Sequence, residues 1–409
     1  MEIRENNNPN IPDDVLIINI LPRLPPKSLI RFKTVCKQWR SIISTPNFIE
    51  SNLRLSKAND NNNGVLVRSK SKSLSRERVL TYISYDDFST TDFHLDMSKI
   101  GISYPGFCPD YYVLGSCNGL QCCWLNVGRI CVWNPITNEC RQIPKLLAEY
   151  PWRCVFGFGY VPSLDDYKLV MLELSDVIHV HSYTLRSCDT KWKQHNVDYV
   201  DIDDRFSLGS TRLVYNYLCS GIILPNAKSH WLVTYNEDEL IILGFDMETD
   251  TFKTVNPPEE LIRVRKQMIR SAHGIFHTCL SSIKDNLCIA MTASVYGDVS
   301  GTLEVWKLLE TSSWNKFLKF DGVESPENLC IFFTSYEFRK SVKLLTYSNM
   351  DVWSLYLKSK SKSKSRSKSD HQITQHEYFE VEPSLFSDYG ASAVLYVESL
   401  VSPFMTMKS

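Results

Sequence analysis

The chain has 409 residues, 43% hydrophobic and 22% charged, with 45 basic against 46 acidic side chains and a formal net charge of −1. That balance describes a globular chain with room for one large domain, or two ordinary ones, besides a small module. It carries neither the basic excess expected of a nucleic-acid-binding protein nor the acidic excess of a disordered one.

The opening MEIRENNNPN lacks the apolar core of a signal peptide. No run reaches the ~18–20 apolar residues needed to span a bilayer. A membrane association is therefore not expected, and the expected compartment is the cytoplasm, the nucleus or both. The 13 cysteines are odd in number and scattered at strand-like positions, with Cys122 and Cys123 adjacent. Without a secretory signal they read as reduced, buried thiols.

In chain order, the spacing first predicts a helix from Asp13 to about Leu21. Pro12 suits its first position, and Asp13 and Asp14 favour its positive end. Val15, Leu16, Ile17, Ile18, Ile20 and Leu21 leave it no polar face, so it must be covered on every side. Two shorter helices follow, at about 26–32 and 35–43. Three helices in roughly 50 residues cannot enclose that much apolar surface alone. The charged side chains between Val15 and Ile49 are Arg23, Lys27, Arg31, Lys33, Lys37 and Arg40, all basic. An apolar strip flanked by one sign of charge suits an acidic protein partner. A helical subdomain docked on the rest of its own chain would hide the same surface.

The order Ile11-Pro12, Leu16, Ile20-Leu21, Leu24-Pro25, Lys27-Ser28-Leu29, Phe32, Val35-Cys36-Lys37, Trp39 and Ile42-Ile43 resembles an F-box. That resemblance implies a three-helix module over residues 5–50 that docks on the Skp-family adaptor of a cullin-RING ubiquitin ligase. Carried over position by position, it assigns Ile11, Pro12, Leu16, Ile20, Leu24, Pro25, Leu29, Val35, Cys36 and Trp39 to the box's core or adaptor-binding face. Ile11 stands where leucine is usual, a volume-conserving exchange.

A polar stretch, NDNNNG at 59–64, closes a linker over 51–63. Beyond it no long helical period is expected before the C-terminus. Short β-rich runs separated by turn residues follow instead, at 79–85, 111–115, 120–125, 130–133, 155–160, 168–174 and 177–183. They continue at 221–224, 230–235, 240–245, 288–293, 303–308, 330–334, 342–347 and 352–357. Such strands point to an all-β sandwich, barrel or propeller. A loose repeat selects the propeller. Hairpins at 132–144 (VWNPITNECRQIP), 182–194 (SYTLRSCDTKWKQ), 244–255 (GFDMETDTFKTV) and 305–317 (VWKLLETSSWNKF) recur, with a truncated fifth from Val352. Their starts lie roughly 45–60 residues apart, the length of a propeller blade. The count over 64–402 is about six blades, with seven as the alternative. The aromatic residues of the repeat are expected to pack between blades. The strand AVLYVESL at 393–400 is expected to pair with the first blade and close the ring, removing an exposed edge.

The islands SCNGL at 116–120, Trp133–Thr137 with Pro144, GFGYVPSLDDYKLV at 157–170 and YVESLVS at 396–402 resemble the plant F-box-associated domain. Val161 departs from that family, where Asp is usual, and a slightly altered turn is expected there. Asn118-Gly119 and Asn134-Pro135 read as turn formers. Gly157-Phe158-Gly159 is no phosphate loop, since no third glycine or Lys-Ser/Thr pair follows.

Two Lys/Ser-rich inserts, at 68–76 and 358–369, have nothing apolar to bury and are expected to be mobile loops. They are either solvated expansions without function or a nuclear-import or nucleic-acid-attracting patch tuned by serine phosphorylation. His179 with His181, and His273 with His277, lack the companions of a metal site. The carboxylates at Asp165, Asp166, Asp201, Asp203 and Asp204 are expected in exposed loops. No catalytic motif is recognisable, and no cofactor is expected.

These resemblances imply a non-catalytic substrate-recognition subunit of an SCF-type ubiquitin ligase. The propeller would bring a protein target to the adaptor and cullin for ubiquitination and proteasomal degradation. The competing readings are a kelch-type propeller that binds a ligand or acts as an enzyme without a ligase role, and a scaffold. The target-binding residues are not legible.

Overall fold

The computed structural model describes residues 15–58, 63–70, 78–84, 90–96, 98, 111–125, 129–145, 154–174, 178–186, 191–195, 212–213, 219–220, 222–224, 226–235, 239–270, 274–283, 286–295, 300–309, 313–324, 330–333, 341–347, 352–358, 375–376 and 393–404.

The N-terminal module is helical, but its first element is irregular. Leu16–Ile20 makes a wide π-type turn, with the Leu21 amide donating to the Leu16 carbonyl, and Leu21–Arg23 tightens into a 3-10 turn. Pro22 has no N–H to continue an α-helical ladder, and the chain leaves the turn extended at Leu24. Helix α1, Pro26–Phe32, starts on a proline in the first turn. Helix α2, Lys37–Ile43, is capped by Cys36, whose extended backbone lets its sulfur accept from the Trp39 amide at 3.4 Å. It begins two residues later than the spacing suggested.

The expectation of three helices needs correction, because a fourth follows. Helix α3, Pro46–Ala58, runs through much of the segment read as a linker. Its signals were present: the Thr45 hydroxyl accepts from the Phe48 amide at 3.4 Å, Pro46 opens the first turn, and Phe48, Ile49, Asn52, Leu53 and Ser56 form a buried stripe.

The remainder is an all-β propeller. Among the described residues the strands form six sheets, each built on an antiparallel meander. The first comprises Ala393–Val397, Asn63–Lys70, Arg78–Ser84 and Thr90–Phe93. The second comprises Tyr111–Cys117, Leu120–Leu125, Arg129–Asn134 and Glu139–Ile143. The third runs Cys154–Val161, Asp166–Leu174, Ile178–Thr184 and Lys193–His195, with Cys219–Ser220 added in parallel at its inner edge. In the fourth, Arg212–Leu213 and Ile222–Leu224 pair with Lys228–Tyr235, followed by Glu239–Asp246 and Thr251–Val255. Gly274–Ile283, Asn286–Val295, Ser300–Leu308 and Trp314–Glu324 make the fifth. Cys330–Phe333, Ser341–Tyr347, Val352–Lys358 and Gln375–His376 make the sixth. The innermost strands neighbour one another in a closed cycle, from 393–397 through 111–117, 154–161, 222–224, 274–283 and 330–333 back to 393–397.

The repeated hairpins are the outer strand pairs of their sheets. Trp133 lies opposite Cys140, Ser182 opposite Lys193, Phe245 opposite Phe252 and Val305 opposite Leu318. Their aromatics are core: Trp133, Phe245 and Trp306 are buried. Asn118 and Gly119 both adopt positive φ in the hairpin turn they form, and a Cβ at Gly119 would collide with the Ser399 side chain. Val161 stays in its strand, fully buried opposite Asp166.

Two further expectations are corrected. Arg68–Lys70, read as part of a Lys/Ser loop, are strand residues paired with Arg78–Leu80, and Lys358 ends a strand. The rest of both inserts lies outside the described residues. A helix, α4, Glu259–Arg270, joins the fourth sheet to the fifth where no helix was expected. Pro257-Pro258, then Glu259 and Glu260 in the first turn and Arg270 in the last, are its start and stop signals.

The C-terminal strand pairs antiparallel with the first sheet, Leu395 opposite Val65, so the chain's two ends close the ring as expected. Asn134 locks this closure. Its fully buried carboxamide donates to the carbonyls of Ser399 (3.0 Å) and Val401 (2.7 Å) and accepts from the Ile136 amide. Asn134→Ala should cost about 2–4 kcal/mol, because buried carbonyls lose their donor. Urea unfolding followed by tryptophan fluorescence measures this.

Candidate functional site

The helical module is seated on the propeller. Leu21, Leu29, Ile43, Phe48, Ile49 and Leu53 belong to one continuous apolar core with Leu120, Trp124, Phe156, Phe158, Leu400 and Val401. The Asn52 amide group ties α3 to the first turns, donating to the carbonyls of Pro22 (2.9 Å) and Leu24 (3.1 Å). From α1, Lys27 crosses to the ring, pairing with Glu398 at 2.8 Å and lying 5.4 and 5.3 Å from the ring centres of Tyr82 and Phe93. Burial holds the Lys33 amine below its ordinary range, with nearby Glu139 opposing that shift. Burial likewise raises the Cys117 thiol, against the pull of Lys57.

The propeller therefore covers much of the apolar surface that the module cannot enclose. What remains uncovered is specific. Ile18 is 68% exposed, Val35 62% and Val15 40%, and Pro25, Cys36, Arg23, Arg31, Lys37 and Arg40 are also exposed. Of the residues singled out in the sequence, Val35, Cys36 and Pro25 reach the surface. Leu16, Ile20, Leu24 and Trp39 are partly buried, with Trp39 edge-on to Phe32 at 5.4 Å. Leu29 is 0% exposed, which assigns it to the core and removes it from any contact face. Ile11 and Pro12 lie outside the described residues. Ile18 and Val15 were missed as contact candidates, although the unbroken apolar run that contains them was the available signal.

Two comparisons bear on this arrangement. Residues 9–51 match the F-box domain model, and residues 60–403 match the F-box associated beta propeller domain. The chain belongs to the F-box proteins with an F-box-associated propeller. An F-box/kelch-repeat protein of Arabidopsis thaliana is 27% identical over 325 residues, covering 74% of this chain and 78% of that one. An Arabidopsis F-box protein is 24% identical over 75% of this chain and 72% of its own length. Another is 26% identical over 60% of each chain.

A second polar cluster in this F-box protein deserves a chemical reading. Ser182 Oγ lies 2.7 Å from His195 Nε2, and His195 Nδ1 lies 3.8 Å from an Asp250 oxygen. The order resembles a hydrolytic triad, but its parts are already committed. Ser182 is 2% exposed, and the Asp250 carboxylate binds the Lys168 ammonium, which also donates to the Met247 carbonyl at 2.9 Å. The cluster ties the third sheet to the fourth. Asp166, expected in an exposed loop, is buried and accepts from the amides of Tyr167 (2.7 Å) and Arg186 (2.8 Å). Burial raises its carboxyl above the ordinary range despite those bonds. Asp201, Asp203 and Asp204 lie outside the described residues. Cys122, Cys123, Cys131, Cys140 and Cys154 are buried thiols, and burial pushes the Cys154 thiol up to about 12.

Two measurements test these assignments. Leu29→Ala should destabilise the protein by about 2–5 kcal/mol through the cavity it leaves, whereas Ile18→Asp should change stability by less than about 0.5 kcal/mol. Thermal unfolding separates them.

Burial holds both His195 and His181 below the ordinary 6.5; Asp250 pulls His195 upward, and Lys168 and Lys193 push it down. The native state then binds fewer protons than the unfolded chain. Stability should be level well above pH 6.5 and fall as pH drops below it. His195→Gln should flatten that fall in melting curves taken across the same range.

Proposed function

We propose that this protein is the substrate-recognition subunit of an SCF-type ubiquitin ligase. Its F-box binds a Skp-family adaptor and, through it, a cullin-RING ligase; its propeller binds the protein to be ubiquitinated and degraded. The observation that carries this reading is the exposed strip of Val15, Ile18, Pro25, Val35 and Cys36, left open when the rest of the box packs on the ring. The charged side chains exposed on the same module from Val15 to Arg40, namely Arg23, Arg31, Lys37 and Arg40, are of one sign, which suits an acidic partner with an apolar centre. Leu16, Ile20, Leu24 and Trp39, partly buried, back the strip.

In this role the chain makes and breaks no bond. It raises the concentration of target lysines near the charged conjugating enzyme, an effective-molarity effect. Each of the six sheets counts as one blade of the ring, and the protein works in the cytoplasm or nucleus.

The test is adaptor binding by calorimetry with full-length protein. Ile18→Asp combined with Val35→Asp should weaken binding at least ~100-fold, since an exposed hot spot contributes about 2 kcal/mol or more, while melting behaviour stays that of the parent. Undiminished affinity in that variant would refute the assignment of the strip.

A further inference from the structure

The helix inserted between the fourth and fifth sheets is held firmly by its inner side. Leu261 is fully buried and joins Leu240, Ile242, Leu287, Ile289 and Trp306 in one apolar cluster. Arg265, 5% exposed, lies with its guanidinium 5.2 Å from the Phe276 ring centre. The helix start is pinned by Glu260, which pairs with Lys316 at 2.6 Å; that ammonium also reaches Glu304 at 3.2 Å and sits over Trp306. The outer side of α4 is thus a rigid display.

That outer side carries Arg263, Lys266 and Arg270, spaced three and then four positions apart, so their side chains share one row. Among the described residues none of the three has an ion-pair partner. With Glu259, Ile262 and Gln267 they line an open hollow of about 460 Å³, and Ile269 beside it is 38% exposed.

The position of the row follows from strand alternation. In each sheet the turns after the first and third strands lie on one face of the ring, and those after the second and fourth lie on the other. The F-box sits beside Glu398, Cys117, Tyr160 and Glu139, all at the first kind of turn. Helix α4 follows a fourth strand. It therefore occupies the face opposite the F-box, open to a bound protein while the adaptor is engaged.

We propose that Arg263, Lys266 and Arg270 form a docking surface for an acidic segment of the recruited protein, a proposal that rests on the recognition role assigned above. The row spans about 10 Å at 1.5 Å per residue, the reach of two or three alternate carboxylates on an extended peptide. The flanking Ile262 and Ile269 accept apolar side chains between those acids. Glu259 in the same hollow repels a continuous polyphosphate, and a row of three cations on a chain of net charge −1 falls short of a nucleic-acid groove.

The experiment uses the full chain and a fluorescein-labelled decaglutamate peptide, read by anisotropy, with decalysine and single-stranded oligo-dT as comparison probes. Decaglutamate should bind saturably, oligo-dT and decalysine at least tenfold more weakly. Affinity should drop several-fold as salt rises from about 50 to about 300 mM. The R263E/K266E/R270E variant should lose at least tenfold, and R263Q/K266Q/R270Q an intermediate amount, with adaptor affinity and melting temperature unchanged in both. Decaglutamate binding that survives charge reversal, or no binding by the parent chain, overturns the proposal. Oligo-dT binding as tight as decaglutamate and lost in parallel overturns it in favour of nucleic acid. If the parent chain fails to bind the adaptor yet shows the row-dependent peptide binding, the ligase reading fails and the docking surface stands.

Discussion

The structure depends on one shared hydrophobic core. The helices at the N-terminus do not have enough interior of their own, and they acquire it by lying on the propeller. Leu29, Ile43, Phe48 and Leu53 are dry only because Trp124, Phe156, Leu400 and Val401 form the floor beneath them. Roughly 25 cal/mol per Å² of apolar surface removed from water holds the two parts together more strongly than the Lys27–Glu398 bridge. That bridge is partly exposed on the lysine side and sets register more than stability. The consequence for function is geometric. A box packed into the core of its own propeller presents its exposed side chains at a fixed angle to the ring, so the two parts form one body.

The same core explains why the strip is small. Had the helices formed an independent bundle, the apolar excess would have been spread over their whole surface. Docking selects which side chains stay outside, and it leaves Ile18, Val35 and Val15 exposed on a module whose exposed arginines and lysines are also uncovered. The irregular first turns contribute to this. Pro22 interrupts the helical ladder, and the π-type turn before it rotates Ile18 outward while Leu21 goes in.

Much of the fold was legible before any coordinates. Period-2 strands, Asn118-Gly119 and the recurring hairpins carry local information, and local information is what a sequence displays directly. The closing strand was readable because a propeller has an edge to hide. The misses have physical causes. Helix α3 was hidden by polar Asn47, Glu50, Ser51 and Asn52, although Asn52 turns inward to bind two carbonyls. Helix α4 was hidden because one of its buried positions is Arg265, a charge that packs against the Phe276 ring and breaks the apolar pattern. The candidate contact residues were half legible. The F-box pattern names positions without saying which way they point, so Leu29 and Val35 look alike in sequence and differ completely in exposure. Asn134 read as a turn former, and its bonds to Ser399 and Val401 depend on a segment 265 and 267 positions away.

That separation has a consequence for biogenesis. During synthesis, Asn63–Lys70 leaves the ribosome long before its partner Ala393–Val397 exists, and it waits with one side unpaired. Leu400 and Val401, on which the helices rest, arrive later still. Nascent chains of every intermediate length therefore expose both an open strand edge and an unseated helical module, features that chaperones hold and proteases clear. A prematurely terminated translation product has neither the closed ring nor the floor on which the helices rest.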